Sequence, residues 1–332
     1  MKVGFAEGRA ARAARILDAR AGRHQGVPER RAAHERDARD LVMVYLNGNF
    51  VKPDEAVVPV TDRGFLFADG VYEVMRVYGG RPVLFTEHLE RMRRGLAELR
   101  IAWDGVDGLA GIAGRLIAEN GLERADATVY VQVTRGAPPR RSHAFPPDTP
   151  PTVYVAAQEY PRHSAELYDR GVAALLVEDM RWRRRDIKSI ALLPNVLAHQ
   201  RAHEAGAFEA LLVENGNVLE GSHSNLFAVD GGTAFTHPLS AEILPGITRG
   251  VVLELASELG IPVREEPLAR ARLADFSELF LTGTTTEILP VTRIDGRPVG
   301  SGIPGPVARA LQDAYLRRVA PGHAGAARTA GV

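Results

Sequence analysis

The chain has 332 residues and no cysteine, which excludes disulfides, thiolate nucleophiles and cysteine-based metal sites. It also lacks net charge, since 41 basic residues balance 41 acidic ones, and so has no electrostatic footprint for nucleic acid or an anionic membrane. No uninterrupted apolar run approaches the roughly 20 residues that span a bilayer. These absences predict a soluble cytoplasmic protein that binds neither nucleic acid nor membrane.

Lysine is scarce, because only Lys2, Lys52 and Lys188 are found among the 41 basic residues. Arginine replaces most surface lysines well, but it cannot supply a neutral primary amine, because its guanidinium stays protonated. Lys188 alone lies inside an apolar segment, residues 187–193. It is therefore a candidate for amine chemistry, and the alternative is a chance lysine beside the start of a helix.

The first 42 residues differ in composition from the rest. They are rich in alanine and arginine, with ten basic and six acidic residues, and contain little that could form a core. Nothing in them resembles a secretory signal, and the acidic residues disfavour a transit peptide. We expect a disordered tail or a start codon placed too early, with Met43 as the natural beginning. Residues 319–332 are expected to be a frayed end.

The remaining residues predict a mixed α/β (α+β) fold with two domains, 43–160 and 165–318, joined by a linker at 160–164. In the first domain, turn signals at Asn47-Gly48 and Gly79-Gly80 predict two hairpins, the second with strands 71–77 and 82–85. The other elements predicted here are helices 86–99 and 107–120 and strands 128–133 and 152–156. In the second domain we expect strands at 172–177 and 277–281, hairpins around 215–216 and 230–232, and helices at 195–206, 248–259 and 306–318.

If Lys188 joins an aldehyde, the obvious cofactor is pyridoxal 5′-phosphate, which also needs an acid near its pyridine nitrogen and donors for its phosphate. Glu220 ends a predicted hairpin strand and is a candidate for the acid. The helix start at Gly246-Ile247-Thr248 and the hydroxyl run 282–286 are candidate phosphate sites. The alternatives are a polar strand end for Glu220 and an ordinary N-cap for Thr248.

The first domain offers candidates for binding a substrate. Tyr72 follows a segment dense in glycine, aromatics and paired charges, which suggests a pocket wall. Arg141 and His143 lie on a proline-stiffened loop, where they can converge on a carboxylate. Arg91 lies one turn after His88 on the predicted helix 86–99. The alternatives are a buried tyrosine, an exposed basic loop and a solvated arginine.

Taken in order, several segments resemble the fold-type IV pyridoxal-phosphate aminotransferases, and within them the D-amino acid aminotransferases. The resemblance extends from about Val44 to Tyr315. It depends on the order and spacing of seven segments: 62–64 with 69–73, 87–91, 133–136, 186–189, 220–222, 246–249 and 284–287.

The resemblance implies roles for particular residues. Lys188 matches the catalytic lysine, Glu220 the carboxylate at the pyridine nitrogen, and Leu244 the residue packed behind the cofactor ring. The implied phosphate ligands are Arg91, Ile247, Thr248 and Thr284. In the D-specific enzymes a tyrosine, an arginine and a histidine bind the substrate α-carboxylate, the last two from the other subunit of a homodimer; these roles match Tyr72, Arg141 and His143.

The sequence departs from the family pattern in two places. The loop before Arg141 is one residue longer than usual, so Arg140 is an alternative to Arg141. Gly283 and His223 stand where small hydroxyl residues are common, which would loosen contacts to the phosphate or the ring.

The implied function is ping-pong transamination between D-amino acids and 2-oxo acids, of the type D-alanine plus 2-oxoglutarate to pyruvate plus D-glutamate. The partners are then small molecules and a second copy of the chain, with no metal. The alternatives are a branched-chain L-amino acid aminotransferase, an aminodeoxychorismate lyase, or a protein that only carries the cofactor. The combination of Arg141 and His143 favours the D-amino acid enzyme.

Overall fold

A computed structural model describes residues 41–323 of the chain. The predictions for residues 1–40 and 324–332 lie outside the described residues. Between Leu41 and His323, no helix is long and apolar enough to cross a membrane.

The first sheet contains six antiparallel strands in the order β2-β1-β6-β5-β3-β4. Its strands are β1 Val44–Leu46, β2 Asn49–Val51, β3 Gly70–Tyr78, β4 Arg81–Pro82, β5 Ala127–Thr134 and β6 Thr152–Glu159. Side chains alternate along β3, so Val71, Glu73 and Met75 face the buried side while Tyr72 and Val74 face the other. The strand thereby presents a buried carboxylate on one face and a tyrosine on the opposite face.

Three helices accompany this sheet: α1 Arg63–Phe67, α2 Phe85–Glu98 and α3 Leu109–Glu119. The apolar residues of α2 recur at helical spacing, and Leu89, Met92 and Leu96 pack into the core against β3. Because His88 and Arg91 are one turn apart on the same helix, they too meet the buried face of β3. The helix α2 therefore carries two polar side chains into the core, where they meet Glu73.

The second sheet contains ten strands in the order β12-β11-β10-β14-β15-β7-β8-β9-β13, with β16 paired to β15. Its strands are β7 Val172–Glu178, β8 Glu209–Glu214, β9 Asn217–Gly221, β10 Asn225–Asp230, β11 Thr233–Thr236, β12 Val263–Glu265, β13 Leu268–Ala269, β14 Glu278–Gly283, β15 Glu287–Ile294 and β16 Arg297–Pro298. The pairs β7–β8, β7–β15 and β11–β12 are parallel and the others antiparallel.

Four helices belong to this half: α4 Ala165–Arg170, α5 Leu193–Glu204, α6 Ile247–Glu258 and α7 Pro306–Val319. The helices α6 and α7 pack against β14 and β15 through a buried cluster that includes Val252, Leu311 and Tyr315. The start of α6 and the ends of β9 and β14 contribute to one cleft, which is described below.

The segment after β7 returns to the first sheet. Ile187 packs into the core of the first sheet, between elements that include β3 and α2. The backbone N–H of Tyr72 donates to the carbonyl of Lys188 at 3.0 Å, and the N–H of Ile190 donates to the carbonyl of Gly70 at 3.1 Å. These contacts place Lys188 at the junction of the two sheets.

The mixed α/β (α+β) class is confirmed, and each sheet draws its strands from one of the two predicted segments; the division into two domains stays a prediction. Three details were wrong. The strand predicted at 82–85 ends at Pro82, because Leu84 has a left-handed backbone (φ 52°) and Phe85 starts α2. Helix α6 begins at Ile247 with Gly246 as its N-cap, so Thr248 is not the cap residue. The last helix ends at Val319, one residue beyond the predicted end at 318.

Candidate active site

Lys188 lies in a cleft between the two sheets. Its Nζ atom is 4.4 Å from the centre of the Tyr72 ring. The backbone hydrogen bond from Tyr72 to Lys188 keeps the two residues together, since each side chain starts from one of the two paired backbones. The candidate amine and the candidate substrate-binding tyrosine are thus neighbours.

Most of the predicted site residues line this cleft. It is lined by eight of the ten candidates: Tyr72, Arg91, Lys188, Glu220, Leu244, Ile247, Thr248 and Thr284. Arg141 and His143 are not among the cleft-lining residues. The structure therefore brings together the candidate amine, carboxylate and phosphate donors, and leaves the two remaining candidates on a separate loop.

Glu220 is a buried carboxylate, 3% exposed, at the end of β9. Its Oε1 accepts a hydrogen bond from Arg181 Nη1 at 2.5 Å, and its Oε2 accepts from Asn225 Nδ2 at 2.9 Å and from the Leu244 N–H at 3.1 Å. Burial raises the pKa of Glu220 above its ordinary value, and Arg181 together with the Leu244 N–H opposes that rise. The carboxylate is held in one orientation from three sides.

The contacts of Glu220 also hold Leu244 in place. Asn225 Nδ2 donates to the Leu244 carbonyl at 2.9 Å as well as to Glu220. Close by, the Cβ of any residue other than glycine at position 246 would lie 1.9 Å from Asn225 Oδ1. Gly246 is therefore required where the chain passes Asn225 and enters α6.

Arg91 is held by Glu73 on the buried face of β3. Arg91 Nε and Nη2 donate to the two oxygens of Glu73, both at 2.7 Å, and Nη1 donates to the Pro245 carbonyl at 3.0 Å. The pKa of His88 is lowered, chiefly by burial, which favours the neutral ring. Since a carboxylate only accepts, His88 Nδ1 carries the proton in its 2.7 Å contact with Glu73. Arg91 is thus fixed at the edge of the cleft.

The start of α6 offers backbone donors to the same part of the cleft. Its N-cap residue, Gly246, makes no side-chain capping bond, so the first N–H groups have no side-chain acceptor there. Thr282 on β14 contributes a hydroxyl that is buried and has no hydrogen-bond partner among the described residues. A helix start, an unsatisfied hydroxyl and Arg91 together suit a bound anion.

Arg141 and His143 lie on the exposed loop 140–146 and share one aromatic partner. The guanidinium carbon of Arg141 is 4.6 Å from the centre of the Phe67 ring, and the rings of His143 and Phe67 are 5.3 Å apart. Within residues 41–323 Arg140 has no ring contact of this kind, so the geometry favours Arg141 as the partner of His143. Phe67 lies at the end of α1, which is capped by Asp62.

Two buried arginines hold this loop to the body of the first sheet. Arg63 donates to the backbone carbonyls of the loop at Ser142, His143 and Ala144. Arg135 stacks on Phe145, with its guanidinium carbon 3.6 Å from the ring centre.

Both arginines bind Asp69, Arg63 at 2.7 Å and Arg135 at 2.8 and 2.9 Å. Burial opposes the ionisation of Asp69, but the two guanidinium groups lower its pKa below the ordinary value. One ionised carboxylate therefore joins the two side chains that fix the loop.

His223 is held by a buried carboxylate, and its expected effect on contacts to the phosphate or the ring stays a prediction. Its Nδ1 lies 3.0 Å from Oε2 of the fully buried Glu209, which also accepts hydrogen bonds from the hydroxyls of Ser222 at 2.5 Å and Ser224 at 2.7 Å. Although burial lowers the pKa of His223, the charge of Glu209 raises it by more. The imidazole is therefore held by a carboxylate at the cleft wall.

Sequence reasoning missed several residues that orient the site. Glu73 was noted only within a charged segment, and Arg181 and Asn225 were not singled out. The alternation along β3 places Glu73 on the buried face, where a carboxylate needs a cationic partner. This need is a sequence signal for a cation on α2, the helix that packs against that face. No sequence signal links Arg181 or Asn225 to Glu220.

Comparison with known proteins assigns a family to this arrangement. Residues 70–294 match the model of the family described as Amino-transferase class IV. The chain is 39% identical over 278 residues to the D-alanine aminotransferase of Staphylococcus aureus (strain COL), covering 83% of this chain and 97% of that protein. It is 41% identical over 280 residues to the D-alanine aminotransferase of Bacillus licheniformis, covering 83% and 96%.

Among solved structures, the chain is similar to branched-chain amino acid aminotransferases. The enzyme of Escherichia coli has a TM-score of 0.75 and 28% identity, over 84% of this chain and 94% of that one. The T.th. enzyme, solved with pyridoxamine 5′-phosphate, has a TM-score of 0.78 and 29% identity, over 87% and 96%. The fold is therefore that of the fold-type IV aminotransferases.

The residues of the cleft fit the pyridoxal 5′-phosphate that this family uses. The unpartnered hydroxyl of Thr282, the uncapped start of α6 and the fixed guanidinium of Arg91 suit a phosphate group. Glu220 supplies an oriented carboxylate, and Lys188 an amine in the same cleft.

The hydroxyl of Thr282 gives a test of the phosphate site. Because Oγ1 has no partner in the ligand-free protein, Thr282→Val should leave the free energy of unfolding of the apoprotein unchanged or raise it by up to about 1 kcal/mol. The same change should weaken pyridoxal 5′-phosphate binding by about 10-fold, through the lost hydrogen bond to a charged group. Urea denaturation of the apoprotein and titration with the cofactor measure the two quantities.

Thr236→Val is the matched control, since Thr236 is as buried as Thr282 but donates to the Leu226 carbonyl at 2.8 Å. It should destabilise the apoprotein by about 1–2 kcal/mol and leave cofactor affinity unchanged. Equal loss of stability in both variants would contradict the assignment of Thr282 to a ligand.

The ion pair of Glu73 predicts an acid-dependent stability. Burial opposes its ionisation, but Arg91 and then His88 lower its pKa from 4.5 to about 2. Below pH 4.5 the unfolded chain therefore takes up a proton that the folded chain refuses, and stability present above pH 4.5 is lost as the pH falls towards 2. In apoprotein, the stability difference between wild type and Glu73→Gln should narrow by about 1–2 kcal/mol from about pH 6 to about pH 3.5. Urea denaturation measures the difference in unfolding free energy between the two proteins at each pH. An equal difference at both pH values would show that Arg91 and His88 do not lower the pKa of Glu73.

Proposed function

The chain belongs to the class IV aminotransferases, and on that premise we propose that it transfers the amino group of D-amino acids, D-alanine among them, to 2-oxo acids. The observation that carries the choice of D-amino acids is the pair formed by Arg141 and His143 on the ring of Phe67. Two donors side by side suit a substrate α-carboxylate. The identity of about two fifths to curated D-alanine aminotransferases supports the same choice.

The cofactor is pyridoxal 5′-phosphate, which supplies an aldehyde for the amine and a ring that accepts the electron pair of the substrate Cα. In this proposal Arg91, Thr284 and the N–H groups of Ile247 and Thr248 hold its phosphate, with Thr282 as a further donor. Leu244 packs behind the ring.

Lys188 is proposed as the catalytic base and acid. Its amine takes the proton from the substrate Cα as a base and then donates that proton as an acid. A guanidinium could not do this, because it stays protonated. The Tyr72 ring beside Nζ and the hydrogen bond between the two backbones limit how far the amine can move. The residue therefore acts from one fixed position in both half-reactions.

Glu220 is proposed to hold a proton on the pyridine nitrogen. Its pKa is raised while it is buried and without a second cation, and a cationic N–H at its carboxylate would favour the ionised form. Arg181 and the Leu244 N–H keep the carboxylate oriented while it does so. The electron pair from Cα is then stabilised by a positive ring.

We propose that two copies of the chain complete each site, and that the enzyme works in the cytoplasm. Arg141 and His143 lie outside the cleft of their own chain as described, so their use requires a second chain. Exposed apolar residues near the same end of the first sheet suit such a contact, since Val57, Val60 and Phe65 are each about three quarters exposed.

A branched-chain L-amino acid aminotransferase is the second candidate, because the similar solved structures carry that name. Their identity to this chain, 28–29%, is lower than that of the D-alanine aminotransferases. An aminodeoxychorismate lyase is a third candidate of the same fold.

A panel of substrates separates the candidates. With 2-oxoglutarate as acceptor, D-alanine should be used at least about 100-fold more efficiently than L-leucine, because a carboxylate held on one side presents only one enantiomer productively. Aminodeoxychorismate should yield no pyruvate. Initial rates of the purified holoenzyme measure all three, and a preference for L-leucine would contradict the proposal.

The scarcity of lysine makes the assignment of Lys188 easy to test. Borohydride reduction of the holoprotein followed by peptide mapping should place the pyridoxyl group on Lys188. Lys188→Arg keeps the charge but should lower turnover by at least about 1000-fold, because the neutral amine is lost. Lys52→Arg, at an exposed position, is the matched control and should retain wild-type rates; modification at Lys52 instead would refute the assignment.

A further inference from the structure

Phe67 lies where a single aromatic ring can orient both residues of the proposed carboxylate pair. The guanidinium of Arg141 lies over the ring at 4.6 Å from its centre, within the range of cation–π attraction. The imidazole of His143 meets the same ring at 5.3 Å and a tilt of 50°. The two side chains are otherwise exposed.

We infer that Phe67 is a positioning residue for substrate binding, which sets the orientation of Arg141 and His143 towards the α-carboxylate. This inference rests on the proposed function, in which those two side chains bind the carboxylate. Long exposed side chains lose conformational entropy when a substrate fixes them. A ring that already restricts both of them removes part of that cost before the substrate arrives.

Phe67 is anchored through α1 to the body of the first sheet. It belongs to α1, whose N-cap Asp62 accepts hydrogen bonds from the Gly64 N–H at 2.7 Å and the Thr134 hydroxyl at 2.9 Å. The guanidinium carbon of Arg63 lies 4.9 Å from the same ring. Asp62 thus ties the helix that carries the ring to β5, while Arg63 contacts both the ring and the backbone of the loop.

This division of roles makes a specific prediction. Arg63 fixes where the loop lies, while Phe67 fixes where its two side chains point. Loss of the ring should therefore weaken capture of the carboxylate without moving the loop or disturbing Lys188. In kinetic terms the KM of carboxylate substrates rises and kcat stays the same, because binding is lost equally from the ground state and the transition state.

The test compares Phe67→Leu with wild-type holoenzyme on D-alanine and on D-alaninamide, which lacks the carboxylate charge. The variant should raise the KM for D-alanine about 5- to 10-fold with kcat within about twofold. The ratio of kcat/KM for D-alanine over D-alaninamide should fall by a similar factor. Phe67→Tyr keeps the aromatic face and should therefore show the wild-type KM for D-alanine and the wild-type ratio of the two substrates.

Phe50→Leu is the matched control. The ring of Phe50 also lies under an arginine, with the guanidinium carbon of Arg115 at 3.8 Å, but on β2 and away from the loop. This variant should have the wild-type KM and kcat for both substrates. If Phe67→Leu does not fold, Phe67→Met removes the ring with less loss of volume and takes its place.

If the ratio of kcat/KM for D-alanine over D-alaninamide is unchanged in Phe67→Leu, the inference is overturned. This holds both when activity on D-alanine persists and when activity on the two substrates falls together through general damage. Wild-type protein without activity on D-alanine would overturn the proposed function and this inference with it. An active wild type with an unchanged ratio in the variant overturns the inference alone.

Discussion

Two backbone hydrogen bonds between β3 and the segment 187–190 determine the geometry of the site. They join the second sheet's connecting segment to the edge of the first sheet, and Ile187 secures the join by packing into the core. Because the side chains of Lys188 and Tyr72 start from the paired backbones, main-chain geometry keeps the amine within reach of the ring. A reactive lysine would otherwise have four rotatable bonds and little to restrict it. The cleft exists because this join brings the ends of β9 and β14 and the start of α6 opposite β3.

Buried carboxylates orient the cations and donors around that join. Glu73 takes two donors of Arg91 and one of His88, Asp69 takes Arg63 and Arg135, and Glu220 takes Arg181. In each case a charge that would be costly alone is paired and hydrogen-bonded. Arg91, Arg63 and Arg135 direct further N–H groups to backbone carbonyls, and Arg181 directs its own to a second carboxylate, Asp179. The pairs thus convert flexible side chains into fixed donors.

The sequence alone predicted the mixed fold, most of the elements, and the eight residues that meet in the cleft. Strand β15 was missed, because Pro290 interrupts an apolar run and proline is unusual in a central strand; the pairing with β7 begins only after it, at Val291. Arg181 was missed because its partner Glu220 is 39 residues away and nothing local marks the contact. The contact of His223 with Glu209 was missed because Glu209 lies in a separate strand. Local patterns specify elements well, whereas pairs of distant charges depend on how the elements assemble.

The shared anchor at Asp69 has a consequence for redesign of the enzyme. One side chain serves as the common tether of Arg63 and Arg135, and through them of the loop at 140–146. A loop grafted here from a relative would meet two guanidinium groups already committed to a third residue. Grafts that carry positions 63, 69 and 135 along with the loop should therefore be tolerated where the loop alone is not, because these positions and the loop form one bonded unit.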